Sequence, residues 1–159
     1  MHSKYILYKT NDCTQFYIIN MGKKIDYFSL FARLALAFGF LSAVADRFGF
    51  WTSLLGSEYV VWGNMGNFIT YTGILLPWVP KSLLPLFAWT ATVAEIILGI
   101  LLLIGFQKRI VALLSGILLL MFAFSMMLFV NIKSPFDYSV FAAAACAFLL
   151  FKDDGVHTN

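Results

Sequence analysis

Residues 83–109 read LLPLFAWTATVAEIILGILLLIGFQKR, and this stretch decides the fold. Pro85 stands near its start, where a helix tolerates proline because a first-turn N–H has no intrahelical partner to lose. The apolar run that follows is long enough, at about 1.5 Å rise per residue, to cross roughly 30 Å of hydrocarbon. It ends in a polar turn, Gly105-Phe106-Gln107-Lys108-Arg109, and it carries one carboxylate, Glu95, near its middle. A transmembrane helix is expected over about 83–104.

The chain on either side repeats the pattern. Further spans are expected near 27–48, near 110–130 and near 136–151, the third closed by Asn131-Ile132-Lys133-Ser134-Pro135. The fourth is short for a span, a mismatch that tilt or local bilayer thinning accommodates. The long connection, residues 49–81, holds Trp51, Trp62 and Trp78 together with Pro77 and Pro80. Tryptophan favours the headgroup region, where its ring is buried and its N–H stays wet. Within that connection Phe68 to Leu76 is apolar but too short to cross, and reads as a half-helix lying at the interface or folding back as a cap. The expected fold is therefore all-α: an integral membrane four-helix bundle with an extra interfacial half-helix in the first outer loop. The membrane domain occupies 25–152, between an N-terminal segment, 1–24, and a tail, 153–159. Met21, followed by Gly22-Lys23-Lys24, competes with Met1 as the translation start. Lys23-Lys24, an apolar run and Ala43-Val44-Ala45 imitate a cleavable signal, but Arg33 interrupts the core such a signal needs, so the segment is read as a retained span.

Composition agrees. Of 159 residues, 61% are hydrophobic and 12% charged, against roughly 25% charged in soluble domains. A chain this short cannot bury that much apolar surface in one core, so its first partner is the lipid bilayer. The net charge of +3 is not a nucleic-acid footprint, because the basic residues flank apolar runs and form no patch interleaved with aromatics. They set topology instead. In a four-span arrangement Lys4, Lys9, Lys23, Lys24, Lys108, Arg109 and Lys152 share one side, with Arg47, Lys81 and Lys133 on the other. Three spans would split them less cleanly. Both termini are thus expected in the cytoplasm and the Trp-rich connection outside.

Several chemistries lack their residues. Cys13 and Cys146 form no C-x-x-C pair, and Cys146, in an Ala-rich stretch, reads as a packing residue. His2 and His157 lie outside the spans, so no buried histidine pair is available to a haem. No metal-ligand spacing, phosphate loop or nucleophile elbow is present. No metal or intrinsic cofactor is expected, and any redox carrier must be borrowed: a quinone or a partner subunit.

The informative residues are charges inside apolar runs. A carboxylate at the middle of a span, Glu95, costs roughly 2.5–3.5 kcal/mol on insertion scales and is a functional candidate by default. Ala91 and Gly99 lie one turn either side of it, and small residues let another helix approach. Arg33, early in the first span, either pairs with Glu95, directly or through water, or snorkels to the headgroups. Two readings of the Glu95–Arg33 pair compete: a proton-exchanging catalytic centre, and a structural ion pair that fixes helix register. A second cluster, Asp46, Asn64, Asn67, Asn131, Asp137 and Tyr138, gathers at the outer ends. It reads either as an outward polar binding pocket or as ordinary interfacial residues and caps, with Asp137 complementing its helix dipole.

Phe31-Ala32-Arg33-Leu34-Ala35, Ala94-Glu95-Ile96-Ile97-Leu98-Gly99 running to Gly105-Phe106-Gln107-Lys108-Arg109, and Ile132-Lys133-Ser134-Pro135-Phe136-Asp137-Tyr138-Ser139 resemble the DoxX family of small bacterial membrane proteins. The resemblance covers about residues 27–151. It implies a four-helix bundle in the bacterial cytoplasmic (inner) membrane. It also implies a link to redox systems, since the family takes its name from a subunit of a thiosulfate–quinone oxidoreductase and other members are linked to redox stress or partner assembly. The family often has Gly and Lys near the outer end of the first span. Asp46-Arg47 stand there in this chain, so no role of that Lys is carried over.

Three functions follow as expectations. The first is an accessory or quinone-linked subunit of a membrane redox system, centred on Glu95 with Arg33. The second is a non-enzymatic assembly factor or scaffold for another membrane protein or a second copy, docking through Ala35-x-x-x-Gly39, Ala91 with Gly99, and the Ala-rich fourth span. The third is a small-solute transporter, which four spans without an internal repeat favour only as an oligomer.

Overall fold

The computed structural model describes residues 27–156, with side chains to residue 152. Among these residues all regular structure is helical: α1 (Tyr27–Arg47), α2 (Phe50–Leu55), a single 3-10 turn (Ser57–Tyr59), α3 (Met65–Leu75), α4 (Leu84–Ile104), α5 (Lys108–Phe129), α6 (Ser134–Asp137) and α7 (Val140–Val156). Three of them, α1, α4 and α5, are long and apolar enough to cross a membrane. The apolar part of α7, Val140–Lys152, covers only roughly 20 Å at helical rise.

Local chemistry sets the boundaries. Helix α4 starts with proline in its first turn and stops at Gly105, whose φ of 71° is the left-handed cap conformation that glycine adopts without steric penalty. The N–H groups of Gly105 and Phe106 both donate to the Leu101 carbonyl. The expected fourth span, 136–151, is divided in two. Pro135 sits in the first turn of the short α6, and Ser139, at φ 54°, turns the chain before α7 begins at Val140. The helix that holds most of the apolar run 68–76 starts earlier than that run. It starts at Met65 because Asn64 caps it, accepting the Asn67 N–H at 2.9 Å.

Helix α1 packs on α4, α4 on α5, α5 on α7, and α7 back on α1. Their shared core is Leu36, Ala37, Phe40, Leu98, Leu102, Val111, Ala112, Ala147 and Leu150. Small residues set the close approaches. A Cβ on Gly116 of α5 would lie 2.8 Å from Phe148 Cε1 of α7, and one on Gly99 of α4 would lie 3.0 Å from Leu41 Cγ of α1. Outward faces stay apolar, with Phe38, Ile97, Ile100, Leu114, Ile117, Phe124 and Leu149 exposed. Exposed apolar surface on this scale suits lipid and not water. Helices α2 and α3 and the turn between them gather at one end, beside the end of α1 and the start of α4. Helix α3 rests on α4 and α5 and touches α1.

Candidate functional site

Glu95 is 2% exposed and Arg47 3%. Arg47 Nη2 donates to Glu95 Oε1 at 2.9 Å, and Arg47 Nη1 donates to Thr92 Oγ1, also at 2.9 Å. The Thr92 hydroxyl in turn donates to the Ala88 carbonyl at 2.8 Å. The guanidinium lies over the Phe68 ring, 3.6 Å from its centroid, with the Trp62 ring at 5.1 Å. Two aromatic faces and one carboxylate thus surround a cation removed from water.

Arg33 does not pair with Glu95. Its Nε donates to the Leu102 carbonyl at 3.1 Å and its Nη2 to the Leu103 carbonyl at 3.4 Å, at the far end of α4. There it satisfies carbonyls that the helix terminus leaves open and complements the dipole. The reason for the exchange of partners is directional. Side chains on a helix lean toward its N-terminus. Arg33 therefore leans out of the membrane region, toward Gly105, while Arg47 leans back from the end of α1 into it. Glu95, on an antiparallel helix, leans toward Arg47. Gly99 lies against Ala37 and Leu41, which puts Glu95, one turn nearer the start of α4, closer to the Arg47 end.

The pair forms part of the wall of a cavity of about 830 Å³ between α1, α3, α5, α7 and the 61–62 loop. The lining is mostly apolar and aromatic, including Phe40, Trp62, Phe68, Tyr71, Phe122 and Tyr138. This volume lies within the roughly 300–1,000 Å³ typical of small-molecule sites, which are apolar with a few placed polar groups. Three residues of the lining each keep one buried polar atom without a hydrogen-bond partner: Arg47 Nε, Trp62 Nε1 and Glu95 Oε2. Native interiors rarely leave such atoms orphaned. Tyr71, on α3, has its phenol pKa raised, first by burial and then by the neighbouring Tyr138, so it remains a neutral donor.

The six-residue outer cluster separates into two kinds. Asp46 is buried and accepts three backbone N–H bonds, from Val61 (3.1 Å), Trp62 (3.0 Å) and Gly63 (3.1 Å). Asn64 caps α3. The Asn131 side chain accepts from the Lys133 and Ser134 N–H groups ahead of α6. Asp137 pairs with Lys133 at 2.7 Å on the surface. These four hold backbone or a surface charge. Asn67 and Tyr138 line the cavity, with Asn67 Nδ2 also donating to the Trp62 carbonyl at 2.8 Å. The small residues expected at an outward docking face divide: Ala35 and Gly39 stay exposed, with nothing within 4 Å of a Cβ built on Gly39, whereas others are covered by the chain itself. Ala35, Gly39 and Ala43 line the cavity, Gly99 meets α1, and Ala144 and Ala147 are buried.

Sequence reasoning placed Arg47 at the membrane surface and Trp62 in a generic interfacial belt, and did not bring either to Glu95. The lean of helical side chains was the signal that could have found Arg47. Trp62 is carried in by the Asp46 hydrogen bonds, which no local pattern announces. Residues 1–24, with the two candidate starts, and His157 lie outside the described residues. Comparison with protein-family models, with curated proteins and with solved structures returns no match.

Proposed function

We propose that this chain is a DoxX-like four-helix membrane protein that holds a quinone headgroup beside the Arg47–Glu95 pair and serves as an accessory or quinone-linked subunit of a membrane redox system. One observation carries the reading: a buried carboxylate–guanidinium pair in the wall of an apolar cavity of about 830 Å³, each partner keeping an unused polar atom. A quinone headgroup is a flat, largely apolar ring with oxygens at its edge. Aromatic walls suit the ring, the guanidinium on the wall suits the oxygens, and the surrounding lipid receives the tail. Glu95 is then the group that exchanges a proton with the headgroup. Arg47, in the place first given to Arg33, orients it and balances its charge.

The orientation follows from the basic residues. Lys108, Arg109 and Lys152 stand at one end, which the sequence joins to Lys23 and Lys24. At the other end Arg47 is withdrawn into its ion pair and Lys133 is matched by Asp137. We read the excess of positive charge at the first end, against Lys81 at the other, as support for both termini in the cytoplasm of a bacterial cell and the cavity toward the outer leaflet.

The test is mass spectrometry of organic extracts from detergent-purified protein, wild type beside Glu95→Gln and Arg33→Gln. Near-stoichiometric quinone is expected in the wild type and in Arg33→Gln, and its loss in folded Glu95→Gln. A wild type free of quinone that also fails to take it up from quinone-loaded liposomes would overturn the reading.

A further inference from the structure

Glycine inside a helix is destabilising relative to alanine unless something uses the space its side chain leaves. For three helix glycines that neighbour is part of the chain. A Cβ on Gly73 would lie 3.0 Å from Leu84 Cδ1, one on Gly99 3.0 Å from Leu41 Cγ, and one on Gly116 2.8 Å from Phe148 Cε1. Gly39 differs, because nothing lies within 4 Å of a Cβ built there. It is exposed, stands near the middle of α1 and lines the same cavity as Arg47 and Glu95.

A residue that is exposed and also lines a cavity marks where the cavity opens. The exposed lining has two chemistries. Asn67, Thr70 and Tyr138 are polar and belong to α3 and to the turn before α7, whereas Ala35 and Gly39 are small, apolar and within the α1 span. Ala35, Gly39, Ala43 and Arg47 follow at four-residue intervals and all line the cavity, which therefore runs down α1 from the ion pair. Gly39 is two turns, roughly 12 Å, from Arg47. Helix α7 adds two more small residues to the lining, Ala143 and Cys146. A ring beside the ion pair thus has a narrow apolar way into lipid. A second transmembrane helix, roughly 10 Å across, would cover this opening without entering it. The space behind would stay unfilled and lose the contacts that close packing supplies. A single hydrocarbon chain enters and fills it.

We propose, resting on the quinone reading, that the hydrocarbon tail of the bound quinone leaves the cavity between α1 and α7 at Gly39, and that Gly39 is the specificity-determining residue that lets a tailed ligand seat. A side chain at position 39 meets open space and not the core. The fold accommodates it, and the tail does not.

The experiment is calorimetry on the full chain in detergent with two probes that share one headgroup, a decyl-tailed benzoquinone and its analogue with methyl in place of decyl. Each variant is compared with wild type for the same probe, so partitioning of the probe into detergent cancels. Wild type is expected to bind both. Gly39→Leu and Gly39→Phe are expected to weaken the tailed probe by about 10- to 100-fold, as an overpacked contact does. The methyl analogue should stay within about threefold of wild type. Phe38→Leu, at an exposed neighbour outside the lining, should change neither. Unchanged tailed affinity in the folded Gly39 variants would overturn the inference and leave the quinone reading standing; a fall in oligomeric mass alongside it would give this face to a second copy. Equal loss of both probes would also overturn it, by placing Gly39 at the headgroup. A wild type that binds neither probe would overturn the quinone reading as well. Should the Gly39 variants not fold, Ala35→Phe, exposed one turn away, decides by the same selective loss.

Discussion

Asp46 and Arg47 are consecutive residues that hold two different walls of one cavity. Asp46 gathers the N–H groups of Val61, Trp62 and Gly63, and so fixes the loop that carries Trp62. Arg47 reaches Thr92 and Glu95 on α4. The last turn of α1 therefore sets the distance between the tryptophan and the carboxylate.

Removing either member of the buried pair should be severe. Arg47→Met or Glu95→Leu alone is expected to destabilise by about 3–5 kcal/mol, because each leaves a buried charge unmatched. The double variant should recover much of that loss. A mutant cycle by reversible detergent unfolding should show strong coupling between positions 47 and 95. Between 33 and 95 it should show additivity within about 0.5 kcal/mol, since they share no partner. The reverse pattern would restore Arg33 as the counter-charge.

Asp46→Ala strips three backbone N–H groups of their acceptor. A loss of about 1–3 kcal/mol is expected, together with a red shift in the emission assigned to Trp62 by difference against Trp62→Phe. Stability that falls without any change at Trp62 would mean that the loop keeps its place by other contacts.

The α5–α7 contact depends on the missing side chain at Gly116. Gly116→Val drives a methyl group into Phe148, and overpacking of this kind is expected to cost about 1–3 kcal/mol. Adding Phe148→Leu should return part of it. Thermal unfolding of the single and double variants checks both signs.

Tyr71 predicts an alkaline limb. Burial, aided by Tyr138, holds its phenol above the usual value near 10.0 in the folded chain. The neutral form is thus favoured by folding. That contribution is complete below the unfolded value and is lost as pH rises through the folded one. Tyr71→Phe should flatten the fall in stability above about pH 10 and leave neutral pH unchanged. An identical alkaline limb would assign the transition to other groups.

Much of the architecture was legible because membrane helices advertise themselves. Pro85 and Gly105 bound α4 closely, and Glu95 stood out as one carboxylate within an apolar run. The site was less legible. Arg47 ends a span, so it reads as a surface charge unless the backward lean of helical side chains is taken into account. Asp46, Asn64 and Asn131 read equally as pocket residues or as caps, because short polar side chains look alike whether they face a ligand or a backbone N–H. The break at Ser139 carries no glycine or proline of its own, so α6 and α7 read as one span. Phe68 was marked only as apolar, although its ring is the face on which Arg47 rests.

Forty-eight residues separate Arg47 from Glu95 along the chain. At roughly 5–20 residues per second, synthesis delivers the carboxylate about 2–10 s after the arginine. During that interval α1 has no counter-charge for its last residue. Its position at the very end of the helix lets the guanidinium wait among the headgroups. Arg47 can meet Glu95 only once α4 has been made, so the ion pair closes after α1 is complete.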